Sequence, residues 1–226
     1  MLIGVVGKPS AGKSTFFKAM TLAEVDIASY PFTTINPNHG AGHVKIECVD
    51  KEFNVSCNPR EGFCNNSNRF VPVELMDVAG LVPGAHEGKG MGNRFLDDLR
   101  QANVLIHVVD ASGSTDEQGR PVDAGTHDPK KDIRFLENEL DQWYLGILKK
   151  VWKTFARTIQ NTKSDFAKAV AKQFSGLKVT ENDVTEVILK LKINVDKPSY
   201  WTDEEVKNFA QALRKTTKTS ILVEGF

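Results

Sequence analysis

One eight-residue segment constrains the fold of this chain more than any other. It is the glycine-rich sequence Gly-Lys-Pro-Ser-Ala-Gly-Lys-Ser at residues 7–14, which fits the pattern G-x-x-x-x-G-K-S. The short apolar run at residues 1–6 is typical of a buried parallel strand. Residues 15–20 contain no helix breaker and are typical of the first turns of a helix. A strand, a glycine-rich turn and a helix in this order predict a phosphate-binding loop, with a plain glycine turn as the alternative.

The chemistry of phosphate binding explains these residue types. Gly7 and Gly12 permit backbone angles and close approaches that a side chain would prevent. Successive N–H groups can then surround phosphate oxygens, helped by the positive N-terminal end of the following helix. We expect Lys13 to reach the terminal phosphates and the Ser14 hydroxyl to take one position around Mg²⁺. The predicted phosphate-binding residues are Gly7, Lys8, Pro9, Ser10, Ala11, Gly12, Lys13, Ser14, Thr15 and, from a later loop, Gly80.

Composition narrows the class of protein. The 226 residues include 29 basic and 29 acidic side chains, so no overall charge favours nucleic acid or an anionic membrane. No apolar run approaches the length of a membrane span, and the N-terminus lacks the pattern of a signal peptide. Three cysteines, an odd and low number, suit a reducing compartment. We expect a cytoplasmic protein without a membrane or sequence-specific DNA partner.

Apolar runs separated by polar loops predict an α/β sheet. Residues 42–49 and 69–76 are expected to pair as a hairpin at one edge, because Pro72 is difficult to place in a central strand. Residues 103–109 are expected to form a buried strand that ends at Asp110. The loop at residues 22–40 is long and aperiodic, and such loops in compact domains tend to be functional.

From Pro129 onward the pattern is helical. Apolar residues 3, 4, 3 and 4 positions apart form a heptad-like seam: Ile133, Leu136, Leu140, Trp143 and Ile147. A second long helix, closed by Gly176, is indicated by Phe155, Ile159, Phe166, Val170 and Phe174. Two such helices would pack as an antiparallel hairpin or coiled coil. Because residues 220–223 are typical of another strand, we predict a helical domain, 129–216, inserted into a domain formed by residues 1–128 and 217–226. Helices that simply continue the α/β layers are the alternative.

Three loops are expected to face one ligand, since ligands of doubly wound sheets bind beyond the carboxyl ends of the strands. The D-x-x-G sequence at residues 77–80 follows a predicted strand. Asp77 can hold Mg²⁺ through water, and the N–H of Gly80 can reach a γ-phosphate; a simple turn is the alternative. In the loop at 22–40, Thr33 and Thr34 offer hydroxyls that could bind Mg²⁺ and sense the γ-phosphate. A phosphate loop, a threonine loop and D-x-x-G in this order are typical of switch GTPases.

These motifs together resemble the archaeal branch of the Obg-related YchF family. The resemblance extends to about residue 216 and rests on Gly-x-Pro-x-x-Gly-Lys-Ser (7–14), Tyr-Pro-Phe-Thr-Thr-Ile-Asn-Pro-Asn (30–38), Asp-Val-Ala-Gly-Leu-Val-Pro-Gly-Ala-His-Glu-Gly-Lys-Gly-Met-Gly-Asn (77–93), Phe-Leu-Asp-Asp-Leu-Arg-Gln-Ala (95–102) and His-Val-Val-Asp-Ala-Ser-Gly (107–113). It implies a Ras-like P-loop NTPase (G) domain with a mostly parallel sheet and an inserted helical hairpin. It also implies slow hydrolysis of a purine nucleotide, GTP or ATP, with Mg²⁺, and association with the ribosome through ribosomal RNA or protein.

The resemblance assigns roles to individual residues. Lys13 and Ser14 would bind the β- and γ-phosphates and Mg²⁺, and Thr34, ahead of Thr33, would be the magnesium ligand of the first switch. Asp77, also a magnesium ligand, and Gly80 would belong to the second switch. Leu81 takes the place of the catalytic glutamine of Ras-like proteins, so another group must orient the water. The candidate for that catalytic role is His86.

The sequence departs from the family pattern at two places. Ser10 stands where related proteins often have the asparagine that some use to coordinate potassium. The family also carries an Asn-Lys-x-Asp-type base-reading sequence after the strand at about 219–223, and later a TGS domain, but residues 223–226 do not match. We therefore expect a fragment, a truncated reading frame or a diverted last strand, and the choice between GTP and ATP stays open. A non-catalytic interaction module and a metabolic phosphotransferase are the alternative functions.

The three cysteines, Cys48, Cys57 and Cys64, are expected to be free thiols. A disulfide between Cys57 and Cys64 is the alternative. A zinc site is disfavoured, because such sites usually have four ligands arranged in more closely spaced pairs.

Overall fold

A computed structural model of the chain describes residues 1–21, 38–81, 83–85 and 92–225. The strands are β1 (Leu2–Val6), β2 (Asn38–Glu47), β3 (Phe63–Asn65), β4 (Asn68–Asp77), β5 (Val104–Asp110) and β6 (Ser220–Gly225). The α-helices are α1 (Lys13–Thr21), α2 (Asp50–Phe53), α3 (Gly92–Gln101), α4 (Pro129–Thr162), α5 (Phe166–Gln173), α6 (Glu181–Leu191) and α7 (Asp203–Thr217). Two 3₁₀ turns, Ser175–Leu177 and Pro198–Tyr200, connect the later helices.

The strands form one mostly parallel sheet in the order β2-β4-β1-β5-β6, with β3 added beside β4. Strand β1 is parallel to both β4 and β5, and β6 is parallel to β5. The predicted hairpin is confirmed, because β2 and β4 pair antiparallel along their whole length. On the other side of β4, pairing with β3 stops at Phe70 and pairing with β1 begins at Glu74. Pro72 lies in that interval, where its missing N–H is tolerated.

The central strands β1 and β5 are largely buried, and apolar clusters cover both faces of the sheet there. One face packs on α1 through a cluster of Ile3, Val5, Phe17, Val73, Leu75 and Val108. The other face contributes Val6, Met76 and Leu105 to a larger cluster that continues into the later helices. Because one buried cluster joins these helices to the sheet, the inserted helical domain at 129–216 stays a prediction.

The helices after β5 are divided differently from the expected pair of long antiparallel helices. Helix α4 alone covers the predicted seam and also Phe155 and Ile159, and it ends where Lys163 adopts a left-handed conformation (φ 49°). The next helix, α5, has only eight residues. Apolar spacing indicates which face of a helix is buried but does not mark where the helix stops, and a left-handed lysine carries no strong sequence signal.

Helix α4 packs against α7. The Tyr144 hydroxyl lies 2.9 Å from Thr217 Oγ1, and Arg214 Nε donates to Asp141 Oδ1 at 2.7 Å.

None of the helices in the described ranges combines the length and the apolar composition that a membrane span needs.

Candidate nucleotide-binding site

The predicted phosphate loop lies between the end of β1 and the start of α1, and its backbone passes directly against β5. A Cβ atom on Gly7 would lie 2.4 Å from the Val108 carbonyl oxygen, so no larger residue fits at this position. Ser10 adopts a left-handed conformation with φ 59° and is exposed at the tip of the loop. Thr15 is exposed in the first turn of α1. The local geometry is therefore the strand, loop and helix that the sequence predicts.

Ser14 and Asp77 meet beneath this loop. Asp77 is the last residue of β4 and pairs in register with Val5 of β1, which brings its carboxylate beside the start of α1. Ser14 Oγ donates a 2.7 Å hydrogen bond to Asp77 Oδ2. Burial raises the pKa of Asp77, and the Ser14 hydrogen bond and the Lys13 charge partly offset this shift.

Asp77 Oδ1 is buried and has no hydrogen-bond partner among the described residues. A buried carboxylate oxygen of this kind is costly unless a ligand satisfies it. Together with the adjacent Ser14 hydroxyl it provides the oxygen donors that Mg²⁺ prefers. The residues present therefore fit a magnesium ion.

Lys13 lies close to this pair. Its ammonium donates a long hydrogen bond of 3.5 Å to the Lys8 carbonyl oxygen. Burial lowers the pKa of Lys13, and the charge of Asp77 partly offsets this shift. A phosphate oxygen would provide a shorter, charge-assisted hydrogen bond to this ammonium.

The D-x-x-G segment is held against the phosphate loop. The N–H of Leu81 donates to the Gly7 carbonyl oxygen at 3.1 Å. A Cβ atom on Gly80 would lie 2.9 Å from Pro9, so the two segments are in direct contact there. The side chain of Leu81 is 1% exposed and belongs to the apolar cluster below the sheet. It is therefore turned away from solvent and offers no polar atom to the site.

The side chain of Lys8 contacts α4 and the loop after β5. Its ammonium lies 2.8 Å from Asp132 Oδ2 in the first turn of α4 and donates to the Thr115 carbonyl oxygen at 2.8 Å. The other carboxylate oxygen of Asp132 lies 2.7 Å from His127 Nε2. The Lys8 side chain therefore joins the phosphate loop to α4, and phosphate binding by Lys8, which would use its backbone N–H, stays a prediction.

The loop between β5 and α4 also packs on the phosphate loop. A Cβ atom on Gly119 would lie 2.5 Å from the Pro9 carbonyl oxygen, and the glycine has a left-handed φ of 77°. At the start of this loop, Asp110 accepts hydrogen bonds from the hydroxyls of Ser112 and Thr115 at 2.5 Å. Burial alone would raise the pKa of Asp110. These hydrogen bonds and the charge of Lys8 outweigh burial and hold the pKa of Asp110 below its usual value.

A second contact of α4 reaches the segment that follows D-x-x-G. The N–H of Gly84 donates to Glu139 Oε1 at 2.9 Å, and Glu139 is buried. Sequence reasoning missed Asp132, His127 and Glu139. The available signal is two acidic residues on an otherwise apolar face of α4, Asp132 and Glu139, which gives no indication of the partner of either.

The structure thus brings together the loop at residues 7–14, Asp77 and Gly80. Thr33, Thr34 and His86 lie outside the described residues, so their assigned roles stay predictions.

Comparison with known proteins agrees with this geometry. The sequence profile described as "50S ribosome-binding GTPase" matches residues 2–143. An uncharacterised GTP-binding protein of Methanocaldococcus jannaschii is 49% identical over 98% of this chain and 55% of its own length. The ribosome-binding ATPase YchF of Mycoplasma genitalium is 42% identical over 62% of this chain and 35% of its own length. The crystal structure of a GTP-binding protein from Pyrococcus horikoshii superposes with a TM-score of 0.79 and 40% identity, over 98% of this chain and 55% of that one. The chain spans about half the length of the first of these relatives.

Proposed function

The chain belongs to the 50S ribosome-binding GTPase family, with YchF-type GTP-binding proteins among its relatives, and we propose that it is a magnesium-dependent nucleotide switch. Family and fold are those predicted from the sequence: a P-loop G domain with a mostly parallel sheet. The proposed reaction is slow hydrolysis of a purine nucleoside triphosphate, GTP or ATP. The observation that supports it is the hydrogen bond from Ser14 to Asp77, beside the free oxygen Asp77 Oδ1 and close to Lys13.

The proposed binding mode assigns a task to each part of the site. Backbone N–H groups of residues 7–14 and the ammonium of Lys13 would bind the phosphates. Ser14 and Asp77 would hold Mg²⁺, which when bound neutralises charge on the β- and γ-phosphates. The N–H of Gly80 would face the γ-phosphate, in keeping with its contact with Pro9. Thr34 would complete the magnesium site from the first switch.

Slow hydrolysis follows from the position of Leu81. A glutamine at this place in Ras-like proteins orients the attacking water. Leu81 has no polar atom and is buried in the apolar core, so it contributes nothing to orienting water. A group elsewhere, with His86 as the candidate, would have to perform that task.

The contacts of helix α4 support the switch part of the proposal. The helix is joined to the phosphate loop through Asp132 and to the segment after Asp77 through Glu139. A rearrangement of either segment would therefore act on the same helix. Since relatives are named ribosome-binding, we propose that this helical part communicates the nucleotide state to the ribosome in the cytoplasm.

Calorimetric titration with Mg-GTP and, separately, Mg-ATP tests the proposal. We expect binding of one nucleotide per chain, and Lys13→Ala should weaken it at least about tenfold, since hydrogen bonds to charged groups contribute about 1.5–3 kcal/mol. Lys18→Ala is the matched control, because Lys18 is exposed in the same helix. Binding that is equal in the two variants would contradict the assigned site. Failure to bind either nucleotide would favour the non-catalytic interaction module.

A further inference from the structure

Residues 48–67 form an excursion from the sheet that lacks a hydrophobic core. They leave β2 after Glu47, include α2 and β3, and return at Asn68, the end of the hairpin opposite Asp77. Only Cys48 is buried among them. Their large apolar side chains are exposed: Val49, Phe53, Val55 and Phe63. A substructure this small without a core usually depends on disulfides or a metal ion for its stability.

The folding of this segment brings its three cysteines together. Cys48 follows β2 and its N–H donates to the Ser67 carbonyl oxygen at 2.9 Å, while Cys64 is the middle residue of β3. Cys57 comes from the loop between α2 and β3. All three are free thiols, and their Sγ atoms lie within 4.8 Å of one another. Elsewhere in the described ranges, no group of three or more His, Cys, Asp or Glu side chains is placed to hold a metal.

The spacing of the sulfur atoms suits a tetrahedral thiolate site. Three thiolates bound to one Zn²⁺ at about 2.3 Å would have their sulfur atoms about 3.8 Å apart. Separations of at most 4.8 Å therefore need shifts of about 1 Å or less to close on an ion. The residues are far apart in the sequence, which argued against zinc, but sequence spacing does not limit ligands that a fold has already assembled.

The electrostatic surroundings are consistent with a bound cation. A bound metal ion would deprotonate its thiol ligands. Three thiolates and one Zn²⁺ carry one net negative charge. Arg69 lies opposite Cys64 in the β3–β4 pair and places a positive charge near this net negative charge.

We propose that Cys48, Cys57 and Cys64 bind one Zn²⁺ through three thiolates and that this ion stabilises residues 48–67. Thiolate is the ligand that Zn²⁺ prefers among soft donors, and water or a group from another molecule would take the fourth tetrahedral position. Binding releases the three thiol protons and changes no oxidation state. The site stands at the far end of the hairpin from Asp77 and does not depend on the proposed nucleotide switch.

Metal titration of the full chain, with all thiols reduced under anaerobic conditions, tests the proposal. We expect one equivalent of Co²⁺ to give the absorption of tetrahedral thiolate coordination and one equivalent of Zn²⁺ to displace it. Cys57→Ser and Cys64→Ser should each weaken Zn²⁺ binding at least about a hundredfold, since even changes around a metal ligand cost about 10–100-fold. Both thiols are half-buried, so serine should be tolerated there. Ser56→Ala, next to Cys57, is the matched control and should bind normally.

A second measurement separates metal binding from folding. Chelation of zinc should increase amide hydrogen exchange in residues 48–67, while exchange in β1 and nucleotide binding stay unchanged. The proposal is overturned if the reduced chain takes up neither Co²⁺ nor Zn²⁺. It is equally overturned if the two serine variants bind Zn²⁺ as tightly as the Ser56→Ala control.

Discussion

Replacing Asp132 by alanine tests the contact that joins the phosphate loop to the helices. The Lys8 ammonium lies 2.8 Å from the Asp132 carboxylate, and the two side chains are only 1% and 4% exposed. The variant leaves that ammonium buried without its counter-charge, with the hydrogen bond to the Thr115 carbonyl oxygen remaining. His127 also loses the carboxylate that it contacts. Because removing one partner of a buried ion pair costs about 3–5 kcal/mol, we expect the free energy of unfolding to fall by that amount.

Two further variants separate the buried charge from other effects. Asp97→Ala removes the same side chain from an exposed pair with Arg100, in which the side chains are 63% and 45% exposed. That change should cost less than about 1 kcal/mol. Replacing both buried partners, by Lys8→Met and Asp132→Leu together, should recover most of the loss, because no unpaired charge is left in the apolar interior.

Urea unfolding followed by tryptophan fluorescence and by circular dichroism measures these differences. Coincident transitions from the two probes establish that a two-state treatment is justified. If Asp132→Ala is no more destabilising than Asp97→Ala, the buried pair does not contribute the expected stability. A double variant as unstable as Asp132→Ala alone would likewise show that an unpaired Lys8 charge is not the cause of the loss.

Three other predictions concern single residues. Burial lowers the pKa of His107 from 6.5 to about 4, so the unfolded chain binds the proton first as the pH falls. The contribution of His107 to the free energy of unfolding should therefore be constant above pH 6.5 and decline by roughly 3 kcal/mol between pH 6.5 and 4. In urea unfolding at several pH values, His107→Gln should flatten the dependence of stability on pH in this interval, and an unchanged slope would contradict the assigned cause. Leu81→Gln places an amide in the apolar core and should cost about 2–5 kcal/mol of stability without accelerating GTP hydrolysis. A turnover that is tenfold faster in a phosphate-release assay would contradict this, because it would show that residue 81 reaches the site. Asp77→Asn should weaken nucleotide binding about tenfold in the presence of Mg²⁺ but leave the affinity unchanged when a chelator removes Mg²⁺, as measured by calorimetry. If Mg²⁺ strengthens nucleotide binding equally in the variant and the parent protein, Asp77 is not a magnesium ligand.

The sequence predicts best those features whose signal lies within a few residues. The phosphate loop, its strand and its helix are specified by glycines and a lysine at fixed spacing, and the structure has them at the predicted place. The β2–β4 hairpin is likewise marked by two apolar runs and by Pro72. Asp77 was placed beside Ser14 because parallel strands end at the same edge of a sheet, and the 2.7 Å hydrogen bond confirms that proximity.

Contacts between distant positions have no such local signal. The side chain of Lys8 is held by Asp132, which lies beyond four further strands and the loop after β5, and nothing near Lys8 in the sequence indicates this partner. The convergence of Cys48, Cys57 and Cys64 depends on how α2 and β3 fold back on β4, which spacing alone does not encode. The end of α4 was misplaced for another reason, because a helix boundary depends on one residue's backbone conformation rather than on periodicity.

The position of α4 explains why a nucleotide site would be coupled to helices outside the sheet. Asp132 in its first turn is joined to the phosphate loop, and Glu139, two turns later, is joined to the segment after D-x-x-G. Tyr144 then packs on α7. A helix of 34 residues is about 50 Å long, so a displacement of its first turns would also move its distant end. One attachment is a buried ion pair and the other a partly buried hydrogen bond from the Gly84 backbone. In the proposed switch, a γ-phosphate that displaces either loop would therefore act on the same helix.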